Sequence, residues 1–153
     1  MDDLSNHSTK FNLNGIVVFQ LDEQLFCVDL DLVFAIINPS DFPQNINNSF
    51  LVKSNLDIDN FSIPIIDLHA YFGLKHQKIT KSSRFICIEK NNHTFAFTAD
   101  KVQELITINE DMKNNFDFLS TEEKYVSTKI RYSNTVLNLI DFNAIINEEF
   151  IHH

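Results

Sequence analysis

Ile65-Ile66-Asp67-Leu68-His69-Ala70 returns later in the chain as Leu139-Ile140-Asp141-Phe142-Asn143-Ala144. In each copy the aliphatic run reads as a strand that stops at an aspartate, whose carboxylate can accept backbone N–H groups as the N-cap of a short helix. The first helix is expected to end near Gly73 and the second to run towards Glu149. Working upstream, Asp31-Leu32-Val33-Phe34-Ala35-Ile36-Ile37 matches Asp100-Lys101-Val102-Gln103-Glu104-Leu105-Ile106 as Asp-x-Val-x-x-aliphatic-Ile. Each of these copies follows a stretch that reads as a hairpin. Residues 16–21 and 25–29 flank the polar pair Asp22-Glu23, and residues 84–89 and 94–98 flank Asn91-Asn92, which suits the positive-φ positions of a type I′ turn. Two similar halves, each of hairpin, strand, loop, strand and short helix, predict a mainly β protein of two small β-barrels packed together. Residues 38–49, with two prolines, and the polar, charged residues 109–124 read as long irregular stretches between the strand groups.

The chain has 153 residues, which fits one domain. Its 44% hydrophobic and 22% charged residues are those of an ordinary globular protein. Twelve basic against 21 acidic residues leave a net charge of −9, a surface that repels phosphates and so argues against nucleic acid or anionic lipid as partners. The first residues, Met1-Asp2-Asp3-Leu4-Ser5-Asn6-His7, lack the basic and apolar regions of a secretory signal. The apolar runs are far shorter than the roughly 18 residues of a spanning helix, so a cytoplasmic location is expected. Gly15 and Gly73 are the only glycines. Neither G-x-G-x-x-G nor a P-loop can be built from them, and turns that need positive φ must use Asn or Asp. Asn47-Asn48, Asn91-Asn92 and Asn114-Asn115 are the candidates.

No catalytic constellation emerges. The six histidines form no H-x-x-x-H pattern and the two cysteines no C-x-x-C, so no metal or cofactor is expected. Cys27 and Cys87 sit inside apolar runs and read as buried, reduced thiols without an adjacent base. Asp29/Asp31 and Asp57/Asp59 read as turn and surface charges, since the EF-hand glycine and terminal Glu are missing. Asp67 and Asp141 read as helix caps, and His69 as a partly exposed helix residue. What remains is interaction through exposed sheet edges and apolar surface.

Ile63-Pro64-Ile65-Ile66-Asp67-Leu68-His69-Ala70-Tyr71-Phe72-Gly73-Leu74 resembles the aliphatic-Pro-aliphatic-aliphatic-Asp-Leu-x-x-x-Phe-Gly-Leu segment of CheW-like domains, the adaptors of bacterial chemosensory arrays. The opening hairpin, Ala99-Asp100-Lys101-Val102-Gln103-Glu104-Leu105, the stretch from Leu119 to Val126 and the run 137–146 agree in order and spacing. The resemblance covers roughly residues 14–148. It implies two SH3-like five-stranded barrels interleaved in a single CheW-like domain over 14–150, with residues 1–13 a flexible lead and 151–153 a tail. It also implies no catalysis. The implied partners are the regulatory domain of a CheA-type histidine kinase, the cytoplasmic tip of a chemoreceptor and other CheW-like domains.

The departures from the family pattern lie at the implied docking positions. The family's Asn-Leu-Arg-Gly turn falls on Asp57-Ile58-Asp59-Asn60, which replaces a basic residue by an acidic one. The Val-x-Glu-Ile segment associated with receptor contact reads Val33-Phe34-Ala35-Ile36, without its carboxylate, and a family glycine appears as Thr128. By position, the partner-binding residues are Val33, Phe34 and Ala35 on the first barrel and Asp57, Asp59 and Asn60 on the turn.

Overall fold

The computed structural model describes residues 12–39, 55–58, 60–76 and 78–151. Among these residues eleven strands form two mixed sheets, each curled as a half-barrel. One sheet has six strands in the order β8-β1-β2-β11-β10-β9: Lys101–Thr107, Gly15–Leu21, Gln24–Asp29, Thr135–Ile140, Val126–Tyr132 and Phe116–Leu119. The other has five in the order β3-β6-β7-β5-β4: Val33–Ile37, Arg84–Lys90, His93–Ala99, Phe61–Ile66 and Asn55–Ile58. Two short helices, α1 (Leu68–Tyr71) and α2 (Phe142–Ile146), follow β5 and β11. Asp67 and Asp141 cap them, their carboxylates accepting the N–H of Ala70 (3.1 Å) and Ala144 (3.2 Å).

The sheets exchange strands. The six-stranded sheet contains the hairpin of the first half of the chain (β1–β2) and otherwise only strands of the second half, while the five-stranded sheet contains the hairpin of the second half (β6–β7) and otherwise only strands of the first. The duplication extends to the register. Ile37 pairs with Phe85 and Ala35 with Cys87, while Ile106 pairs with Ile16 and Glu104 with Val18. The ladder slips by one residue at the matching place in each, before Val33↔Ile88 and before Val102↔Phe19. The parallel joints Ile65↔Ala96 and Leu139↔Cys27 correspond as well.

Apolar runs without alternation are what strands buried on both faces require. On β1, Ile16 and Val18 point into a cluster with Cys27, Ile106, Ile130 and Leu137, the interior of the six-stranded half-barrel. Val17, Phe19 and Leu21 point the other way, into a larger cluster with Ile86, Ile88, Phe95, Phe97 and Phe142 that joins the two sheets. Phe85, Cys87, Leu56, Ile63 and Ile65 fill the second half-barrel. Five fully buried phenylalanines, Phe19, Phe26, Phe85, Phe95 and Phe97, each contribute on the order of 2 kcal/mol of transfer free energy.

Asn91 (φ 54°) and Asn92 (φ 66°) take the two positive-φ places of the β6–β7 turn as the sequence predicts. Asn114-Asn115 do not; they end a 3-10 segment, Glu110–Asn115, whose N-cap Asn109 accepts the Met112 N–H at 3.0 Å. The second pair of positive-φ residues is Ser133-Asn134, between β10 and β11. Residues 109–124 are therefore less irregular than expected, holding that segment and the sixth strand β9. Asn47-Asn48 lie outside the described residues.

Candidate functional site

The strand β3 carries three of the candidate docking residues. Asp29 caps the 3-10 turn Leu30–Leu32 by accepting the Asp31 N–H at 2.9 Å, and that turn leads the chain out of the six-stranded sheet to the edge of the other. Burial pushes the Asp29 carboxyl above the ordinary carboxylate range, against the Asp31 N–H bond that lowers it. On β3, Val33 and Ala35 are partly buried and Phe34 is 51% exposed, because among the described residues the strand has a hydrogen-bonded neighbour, β6, on one side only. Asp57, on β4 opposite Ser62, is exposed, as is Asn60 in the following turn. Asp59 lies outside the described residues. Val33–Ala35 and the Asp57/Asn60 turn thus occupy opposite edges of one sheet.

Sequence reasoning missed Phe61, the most exposed large apolar side chain among the described residues, 72% exposed at the first position of β5 beside Asn60. Its only signal is an aromatic directly after a polar turn, which does not distinguish a surface anchor from a core residue. Phe34 and Phe61 both belong to the five-stranded sheet. On the six-stranded sheet Leu105, Phe118 and Val136 are exposed, and Glu104 holds the register place that Ala35 holds on β3. The carboxylate missing from the first copy is present in the second.

His69 corrects the sequence reading. It is 5% exposed, because Asp100 reaches it from the junction of β7 and β8: His69 Nε2 lies 3.0 Å from Asp100 Oδ2 and 3.2 Å from Oδ1. Asp100 Oδ2 also accepts the backbone N–H of Asp22 at the tip of the first hairpin. The neighbouring His76 Nε2 meets Asp67 Oδ2 at 2.6 Å, with the two imidazole rings 5.7 Å apart. A cavity of about 740 Å³ opens beside them, lined by Asp22, Glu23, Lys75, Lys78, Ser83 and Asp100 among others. No three His, Cys, Asp or Glu side chains among the described residues are placed to share a metal ion. Cys27 and Cys87 are both buried and free, as expected. Burial raises both thiols, Cys87 to about 11. Also on α1, Tyr71 donates to Glu149 at 2.8 Å, and burial with this bond raises its hydroxyl.

The model of the CheW-like domain matches residues 15–150, from the first strand to the last helical turn. The chain belongs to the CheW-like domain family. A chemotaxis protein CheW of Bacillus subtilis (strain 168) is 27% identical over 88 residues, a stretch that spans 56% of this chain and 56% of that protein. The crystal structure of the scaffolding protein TtCheW from Thermoanaerobacter tengcongensis superposes with a TM-score of 0.64 at 21% identity, covering 85% of each chain. It shares the CheW fold, with its two half-barrels. No helix among the described residues is long and apolar enough to cross a membrane.

Proposed function

We propose that this CheW-like domain, residues 14–150, is a non-enzymatic adaptor that couples chemoreceptor tips to the regulatory domain of a CheA-type histidine kinase, in swimming, pilus-based or gliding motility. The observation that carries the reading is family membership across residues 15–150, in a chain whose edge strand β3 presents the exposed Phe34. Val33, Phe34 and Ala35 form one contact and Asp57, Asp59 and Asn60 the other, with further CheW-like domains as lateral partners. Holding kinase and receptor together lets receptor state bias kinase state, a coupling of populations that needs no chemistry in the adaptor. The adaptor works in the cytoplasm and reaches membrane arrays through its partners.

The departures Ala35 and Asp59 favour a second reading, a module retuned to a partner outside the array, because a charge reversal at a docking surface changes specificity. Binding of the purified protein to its own organism's kinase regulatory domain and to a receptor tip fragment separates the two. Wild type binding both, with Phe34→Ala weakening one of them about tenfold or more, supports the adaptor. Binding to neither, restored by Asp59→Arg, supports the retuned module.

A further inference from the structure

The two half-barrels meet at two junctions that the duplication makes equivalent, and the two are closed by different chemistry. At one, α1 extends from the five-stranded sheet, and its His69 meets Asp100, whose carboxylate in turn accepts the N–H of Asp22 at the tip of the β1–β2 hairpin in the six-stranded sheet. At the other, α2 extends from the six-stranded sheet, and its Asn143 Oδ1 accepts from Asn91 Nδ2 at 2.9 Å, at the tip of the β6–β7 hairpin in the five-stranded sheet. Asn143 stands where His69 stands in the repeat, and Asn91 where Asp22 stands. Asp31, the counterpart of Asp100, is engaged elsewhere, accepting from Asn14 at 2.9 Å.

We propose that the His69–Asp100–Asp22 chain is a proton-responsive clasp at one junction between the half-barrels, set against a second junction whose bridging pair, Asn91 and Asn143, cannot titrate. An amide–amide bond keeps its charge state at every physiological pH, whereas an imidazole bound to a carboxylate changes from a neutral donor to an ion pair when the ring takes up a proton. Because Asp100 serves the ring and the Asp22 N–H through one carboxylate, a charge change on His69 is felt at the hairpin tip. Asp22 holds φ 56° there, in the left-handed turn of the hairpin. Asp22, Glu23, Lys75 and Lys78 share the adjoining cavity with Asp100. His76, with Asp67, faces the ring of His69 from the segment after α1. His76 is therefore the second imidazole beside the clasp. The clasp includes none of the residues of β3 or of the β4–β5 turn and is independent of the docking contacts.

The test follows the backbone amides of the full chain and the imidazole resonances by NMR from about pH 8 to about pH 5. The Asp22 amide is expected to move along one sigmoidal curve with the same midpoint as the His69 ring, while the side-chain amides of Asn91 and Asn143 keep their shifts. His69→Asn, which writes the second junction's residue into the first, removes the Asp22 transition, and His76→Asn leaves it in place. The proposal is overturned if the Asp22 amide stays flat in the wild type, if its transition survives His69→Asn, or if it disappears with His76→Asn. Should His69→Asn not fold, comparison of the wild-type midpoints with those of His76→Asn still decides.

Discussion

Gly15 stands where a methyl group has no room. A Cβ there would lie 2.8 Å from the Leu30 Cδ2 and 2.9 Å from the backbone oxygen of Ile106, and the backbone of the neighbouring strand cannot withdraw without breaking its ladder. Gly15→Ala is expected to destabilise by about 1–3 kcal/mol, read as a lower urea midpoint at unchanged slope. The caps give a graded pair. Asp141→Ala removes one capping bond and should cost about 1 kcal/mol. Asp67→Ala also removes the Asp67–His76 ion pair and should cost more in the same denaturation experiment. The cysteines supply a chemical check. The Cys87 thiol is raised from 9.0 to about 11, so between these values the unfolded thiol ionises while the folded one stays protonated. Its contribution to stability is whole below pH 9.0 and is lost as pH rises through about 11. A thiol reagent near neutral pH should therefore find neither cysteine in the native protein and both in denaturant. At this scale the caps and the buried cysteines were legible, because a cap is a local pattern and an apolar run around a thiol implies burial. The burial of His69 was not, because its partner Asp100 is distant in sequence.

Among the elements, the hairpin turns separate what local chemistry signals from what it hides. Asn91-Asn92 advertises positive φ, since Asn tolerates the left-handed region. Ser133 adopts φ 52° without that preference, so its turn carries the signal at Asn134 alone, and the β10–β11 hairpin leans more on its ladder. Ser133→Asn, copying the other turn, should stabilise by roughly 0.5 kcal/mol, within the range for removing a backbone mismatch, seen as a higher denaturation midpoint. The edge strand β9 was hidden in the same way. Phe116-Asp117-Phe118-Leu119 is short and surrounded by polar residues, and among the described residues the strand pairs on one side only, with β10. Thr128, which departs from the family glycine, fastens that edge: it is 2% exposed and its hydroxyl donates to the Leu119 carbonyl at 2.7 Å.

Across the whole molecule the exchange of strands makes each half of the chain dependent on the other. Fragments cut in the loop between α1 and β6 would each hold one hairpin without the sheet it completes, and the central cluster draws Phe19 and Phe26 from one half and Phe95, Phe97 and Phe142 from the other. Each fragment alone is expected to lack cooperative unfolding, and the two mixed should recover the native circular dichroism spectrum at stoichiometric ratio. A fragment that folds by itself would contradict the exchange.

The sequence alone determined the strand periodicity, the duplication of hairpin, strand and capped helix, the turn at Asn91-Asn92 and the CheW-like pattern, because each of these is written in residues close together along the chain. Tertiary structure decided which sheet receives each strand, which apolar side chains stay outside, as Phe34 and Phe61 do, and that His69 meets Asp100. The physical reason is that strand pairing and burial are satisfied between residues far apart in sequence. Edge strands such as Val33–Ile37 and Lys101–Thr107 could in principle complete either barrel, and the choice rests on the shared core that only the assembled fold creates.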